Sequence, residues 1–168
     1  RSRDEFRHTQ EHAQDVAAVI ACLRQQNKLP VWAIGTSNGS LSAATAAVLL
    51  RERGPDGIVL TSSTTSKPGP AAHPVTDAAL DQVTVPTLFV HHKDDACRVT
   101  PYGAIPGAMA TMKQARPVDL ITVEGGENRG NPCHSGYHQF LGIEATVTQQ
   151  IADWIKRYQS KGKAAAGS

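Results

Sequence analysis

Ser37 lies within Gly35-Thr36-Ser37-Asn38-Gly39, a run of the form G-x-S-x-G. A serine hydroxyl becomes a useful nucleophile only when a base takes its proton, and that base usually needs a carboxylate to orient it. Both kinds of partner follow downstream. His91-His92-Lys93-Asp94-Asp95-Ala96-Cys97 offers two adjacent acids, Asp94 and Asp95, and a later segment offers His134 and His138. The order serine, acid, histidine is one that acyl-transfer chemistry uses. The pentapeptide alone is weak, because a chain of this length would contain it by chance roughly one time in fifteen.

The surrounding elements give the motif its weight. Val31-Trp32-Ala33-Ile34 is a short continuous apolar run, the pattern of a strand buried on both faces. Ser40 to Arg53 is rich in Ala and Leu and reads as a helix, so the serine stands at a strand-to-helix turn. There the nucleophile takes a strained backbone position, and Gly35 and Gly39 are expected to remove side chains that would collide with strand and helix. Backbone N–H groups at the helix start would stabilise developing negative charge on a bound acyl group.

Further along, residues 58–61, 87–90 and 118–123 read as three more strands. Helical patterns cover residues 4–26, with Phe6, Val16, Val19, Ile20 and Leu23 on one face, then 77–82, 102–115 and 143–158. Ser62 to Pro74 is polar and rich in Pro and Gly, which predicts a loop. Helices alternating with short buried strands predict an α/β fold, a mostly parallel sheet flanked by helices. Ligands of such sheets sit beyond the carboxyl ends of the strands, where Ser37, the two aspartates and the two histidines all fall.

Composition narrows the function classes. The chain has 168 residues, enough for one core, and a formal net charge of +2, too mild to argue for nucleic acid or a membrane surface. No apolar stretch approaches the roughly 20 residues of a membrane span. His91 and His92 could suggest a metal, but adjacent side chains on an extended chain point to opposite faces, so no metal and no organic cofactor is expected. Cys22 is expected to be a small core residue of the first helix. Lys161 to Ser168 has the composition of a linker or tag and is set apart from the domain at 1–160.

With these motifs assembled, the chain resembles the α/β-hydrolase-fold serine hydrolases over about 155 residues. Ile34-Gly35-Thr36-Ser37-Asn38-Gly39-Ser40 resembles their nucleophile elbow, and Val90-His91-His92-Lys93-Asp94-Asp95 their acid loop. His138-Gln139-Phe140-Leu141-Gly142-Ile143-Glu144 resembles the H-G-F-x-G-x-E histidine loop of an esterase-like subset, with Gln139 where glycine is common. The resemblance favours Asp95 over Asp94 as the acid and His138 over His134 as the base. It implies a carboxylic-ester hydrolase with the backbone N–H of Asn38 in the oxyanion hole. An acyltransferase or thioesterase using the same residues, or a non-catalytic α/β binding module, are the alternatives.

Two further expectations follow from the resemblance. The family's sheet normally has about four strands before the nucleophile strand, and the sequence shows none. An N-terminal segment of the same protein is therefore expected to complete the sheet and the oxyanion hole, and the chain without it is expected to be feeble or inactive. Cys97 and Cys133 fall in the acid and histidine loops, so a Cys97–Cys133 disulfide is expected. It would indicate a secreted or periplasmic protein rather than a cytoplasmic one.

Overall fold

The four apolar runs form one parallel sheet of strands β1 (Trp32–Thr36), β2 (Gly57–Thr61), β3 (Thr87–His92) and β4 (Val118–Val123), ordered β1-β2-β3-β4. The computed structural model describes residues 3–67 and 73–166, with side chains between 5 and 158. The helices are α1 (Arg3–Arg7), α2 (Gln10–Gln26), α3 (Gly39–Leu50), α4 (Ile105–Thr111) and α5 (Glu144–Ala166).

Strand alternation sorts the core into two layers. Ile58 and Leu60 of β2 and Phe89 of β3 pack on one face, against Leu41, Ala44, Ala47 and Val48 of α3 and Ile105 of α4. Val59, Leu88 and Val90 face the other way and meet Val147, Ile151 and Trp154 of α5. Burying one side chain of this size contributes about 1.5–3 kcal/mol, so these central strands carry much of the core's stabilisation. β2 and β3 are buried along their whole length, as continuous apolar runs require.

The first strand differs from expectation. Ile34 is 57% exposed, because among the described residues β1 pairs only with β2. The predicted N-terminal helix is also divided. Thr9 stands between α1 and α2 and caps α2, its hydroxyl accepting a hydrogen bond from His12 N at 3.2 Å. Helix α2 packs on α3 through Ala13, while Val19 remains 60% and Leu23 39% exposed.

Cys22 is exposed, not a core residue. It lies about 200° around the helix from Ile20, off the buried stripe. The helices expected at 77–82 and 102–115 are realised as 3₁₀ turns at Val75–Ala78, Leu80–Gln82 and Tyr102–Ala104, plus the short α4. Residues 161–166, set apart by composition, continue α5. Part of the loop predicted at 62–74, residues 68–72, lies outside the described residues, as do 167 and 168.

The turn from β1 into α3 leaves no room for a side chain at its start. A Cβ on Gly35 would fall 2.1 Å from Gly39 O and 2.8 Å from Ser40 N, both rigid backbone. The same steric need does not extend to Gly39, where an added Cβ meets nothing within 4 Å outside its own helix. Gly35→Ala is expected to lower stability by at least about 2–3 kcal/mol. Gly39→Ala should stay within about 1 kcal/mol of the parent. Urea unfolding midpoints of the two variants check the contrast.

Candidate active site

Ser37, at the end of β1, has φ 55°, a left-handed backbone that a non-glycine residue adopts only under constraint. The constraints are visible. Ser37 N donates to Thr61 O at 2.9 Å, and Ser37 O accepts from Ser40 N at 3.0 Å and Ser40 Oγ at 2.6 Å. These bonds pin both peptide groups of the residue and leave its side chain at the start of α3. Asn38 follows, and its Oδ1 accepts from Thr64 Oγ1 at 3.0 Å.

The acid loop leaves β3 and places the Asp95 side chain in full burial, with 0% exposure. Its Oδ1 accepts from Cys97 N at 2.9 Å. Its Oδ2 accepts from Thr100 Oγ1 at 2.8 Å and lies 3.0 Å from His138 Nδ1 and 3.3 Å from His91 Nε2. Burial works to raise the pKa of this carboxyl. The hydrogen bonds from His138, His91, Cys97 N–H and Thr100 together outweigh burial and hold it well below the usual carboxylate range. Asp95 is therefore ionised at neutral pH, whereas Asp94 is exposed and its N–H donates to His92 Nδ1.

An ionised Asp95 fixes the histidine beside it. Nδ1 of His138 carries the proton it donates to Oδ2, so the other ring nitrogen, Nε2, presents its lone pair. That Nε2 is buried and has no hydrogen-bond partner among the described residues. His134 is exposed and sits in a turn closed on Asn131 O.

Five contacts hold the loops in this arrangement. Ser62, following β2 with φ 43°, donates its Oγ to His138 O at 2.8 Å. Its neighbour Thr61 holds Ser37, so adjacent residues of one strand end anchor the serine and the histidine. The His92 ring stacks on Tyr137 with centroids 4.0 Å apart, and His92 Nε2 donates to Gly125 O at 2.9 Å. Cys97 and Cys133 form the expected disulfide, tying the acid loop to the histidine loop.

The sequence had singled out Ser37, Asp95, His138, Asn38 and the two cysteines, and the fold brings the loops that carry them to one end of the sheet. It had missed Thr100, had read Ser62 only as the start of a loop, and had weighed His91 only as part of the acid loop and as a possible metal ligand. The available signal was position: Ser62 follows a strand end directly, and His91 and Thr100 flank Asp95 by four and five residues. Among the described residues no group of three or more His, Cys, Asp or Glu is arranged to hold a metal ion.

Neither a family sequence model nor a curated protein sequence matches the chain. Solved structures do. A sugar hydrolase from Lactococcus lactis is similar at 18% identity and a TM-score of 0.62, over 89% of this chain and 69% of that one. An esterase from Exiguobacterium antarcticum is similar at 16% identity and 0.57, over 89% and 75%. The monoacylglycerol lipase of Paleococcus ferrophilus gives 13% identity and 0.56, over 84% and 74%. The chain has an α/β-hydrolase fold.

The lowered pKa of Asp95 makes a stability prediction. A group more acidic in the folded than in the unfolded state stabilises the fold above its unfolded pKa of about 3.9, and the contribution is lost as pH falls toward the folded value. Asp95→Asn should cost about 1–3 kcal/mol at pH 7. The difference from the parent should shrink as pH is lowered below about 4. Thermal unfolding midpoints across that pH range test it.

Proposed function

We propose that this chain is the catalytic part of a serine hydrolase that cleaves carboxylic esters through Ser37, His138 and Asp95. The observation that carries the reading is the imidazole of His138, held at Nδ1 by a buried ionised carboxylate and unpartnered at Nε2. It stands at the sheet end where Ser37 occupies a strained strand-to-helix turn.

In the proposed reaction Ser37 Oγ attacks the acyl carbon while His138 Nε2 accepts the hydroxyl proton. The tetrahedral intermediate collapses, the bond from carbon to the leaving oxygen breaks, and Nε2–H passes its proton to that oxygen. Water then attacks the acyl-enzyme by the same route, restoring Ser37 and releasing the acid. Asp95 keeps the imidazole in one tautomer and stabilises the imidazolium. The backbone N–H of Asn38 at the start of α3 is assigned to the oxyanion. The similar structures are an esterase, a lipase and a sugar hydrolase, in keeping with hydrolysis at this site.

An N-terminal segment of the same protein is proposed to complete the sheet along β1. Supporting this are the exposed Ile34, Val19 and Leu29, the last 68% exposed, and a recess of about 300 Å³ between Ile34, Phe140 and Ile151. An uncovered apolar strand edge is a feature that proteins generally pair or cover. A secreted or periplasmic location is proposed from the disulfide, which oxidising compartments sustain. No helix among the described residues is long and apolar enough to cross a membrane.

A fluorophosphonate probe should label the intact protein at Ser37, and labelling should vanish in Ser37→Ala. Ester turnover should fall by about 10⁴–10⁶ in Ser37→Ala and in His138→Ala. An intact protein that is not labelled would instead be a non-catalytic module. Titration of the denatured, unreduced chain should find one free thiol, that of Cys22, and three would remove the argument for location.

A further inference from the structure

The proposed reaction asks for one bond to Asp95 Oδ2, that from His138, yet two more buried groups converge on the same oxygen. Thr100 Oγ1 donates to it at 2.8 Å and lies 3.2 Å from His138 Nδ1. His91 Nε2 is 3.3 Å from Oδ2 and 2.8 Å from Thr100 O. Thr100 and His91 are both fully buried, at 0% exposure. To donate to a carbonyl, His91 must carry its proton on Nε2, which leaves the lone pair on Nδ1. That nitrogen is buried without a partner among the described residues. A buried acceptor left unpaired is unfavourable by itself, so packing alone does not account for the ring. What the ring supplies is on its Nε2 side, where its N–H holds Thr100, the residue that donates to the carboxylate, and where Nε2 itself lies 3.3 Å from Oδ2.

We infer that Thr100 and His91 are positioning residues that aim Asp95 Oδ2 at His138 Nδ1 and share its negative charge, thereby setting the pH at which His138 becomes a free base. The inference rests on the Ser37–His138–Asp95 reading and assigns neither residue to the reacting atoms. The sign follows from charge sharing. Each donor on Oδ2 spreads the carboxylate's charge, so less of it is left to favour the imidazolium. Withdrawing a donor concentrates the charge on His138 and favours its protonated form. The titratable groups around this pair are few. His91 comes from β3, with the Tyr102 ring 6.0 Å from it, and His92 from β3 stacks on Tyr137. Lys93 and Asp94 of the acid loop are exposed, as is His134 of the histidine loop.

The test needs no knowledge of the natural substrate. The rate of fluorophosphonate labelling of Ser37 in the intact protein is followed from about pH 5 to 9, where histidine titrates. In Thr100→Val the acid limb of the profile should move upward by about half to one pH unit, the range a single hydrogen bond commands, with a plateau about tenfold lower. Thr100→Ser, which keeps the hydroxyl, should restore the limb. His91→Leu should shift it in the same direction, and His91→Gln, which retains a donor, should shift it less. Each pair of variants decides independently if a member of the other does not fold. A limb that stays in place while unfolding midpoints fall would make both residues merely structural and overturn the inference alone. A parent that is never labelled at Ser37 would overturn the triad reading and this inference with it.

Discussion

A carboxylate with no solvent exposure survives as an anion only if its neighbours replace the water it has lost. Asp95 meets that condition through one backbone N–H, one hydroxyl and two imidazoles, drawn from its own loop, from β3 and from the histidine loop. The geometry of the whole sheet end follows from satisfying it. The chain after β3 must curl so that Cys97 N and Thr100 Oγ1 face back toward Asp95. The loop after β4 must bring His138 across 43 residues of sequence to the same oxygen. Any arrangement that left one of these donors elsewhere would strand a buried charge.

The sheet makes this meeting possible because parallel strands deliver all their carboxyl ends to one side. Ser37, Ser62, Asp95 and His138 each lie beyond a different strand, and the contacts that join them run sideways along the sheet. Thr61 O holds Ser37 N, Ser62 Oγ holds His138 O, and His92 is stacked on Tyr137. The disulfide adds a covalent tie between the acid and histidine loops, its ends separated by 36 positions in the sequence. By the chain-entropy argument a loop of that length contributes about 3–4 kcal/mol, a large part of a domain's net stability. The strained φ angles of Ser37 and Ser62 are sustained by this network.

Much of this was legible in the sequence because the signals were local. Short runs rich in apolar residues marked the four strands, and Gly-x-Ser-x-Gly between strand and helix marked the sharp turn at Ser37. The pairing of Asp95 with His138, and of Cys97 with Cys133, came from the resemblance, which supplied the spatial order that local patterns lack. The failures have a common cause. Periodicity reveals which face of an element is apolar, but not whether anything covers it. Val19, Leu23 and Ile34 were read as interior and stand partly in solvent, while Cys22 lies off the buried stripe. Thr100, His91 and Ser62 were passed over because a threonine, a serine or a second histidine in a loop has no distinguishing pattern until its partner is placed. At Gly39 a shared motif letter suggested a shared steric need, and only Gly35 has one.

Helix α3, which follows Ser37, draws eight of its twelve residues from Gly, Ala, Ser and Thr, and nine of the twelve are buried. Ala44 and Ala47 lie against the sheet, Ala46 against α2, and Thr45 and Ser40 are equally enclosed. Such a helix admits little enlargement, since an added methylene has nowhere to go without moving its neighbours. The floor beneath the serine is thus a fixed platform. Any change in what this sheet end accommodates must be written into the overlying loops, whose side chains can grow or shrink without disturbing the foundation.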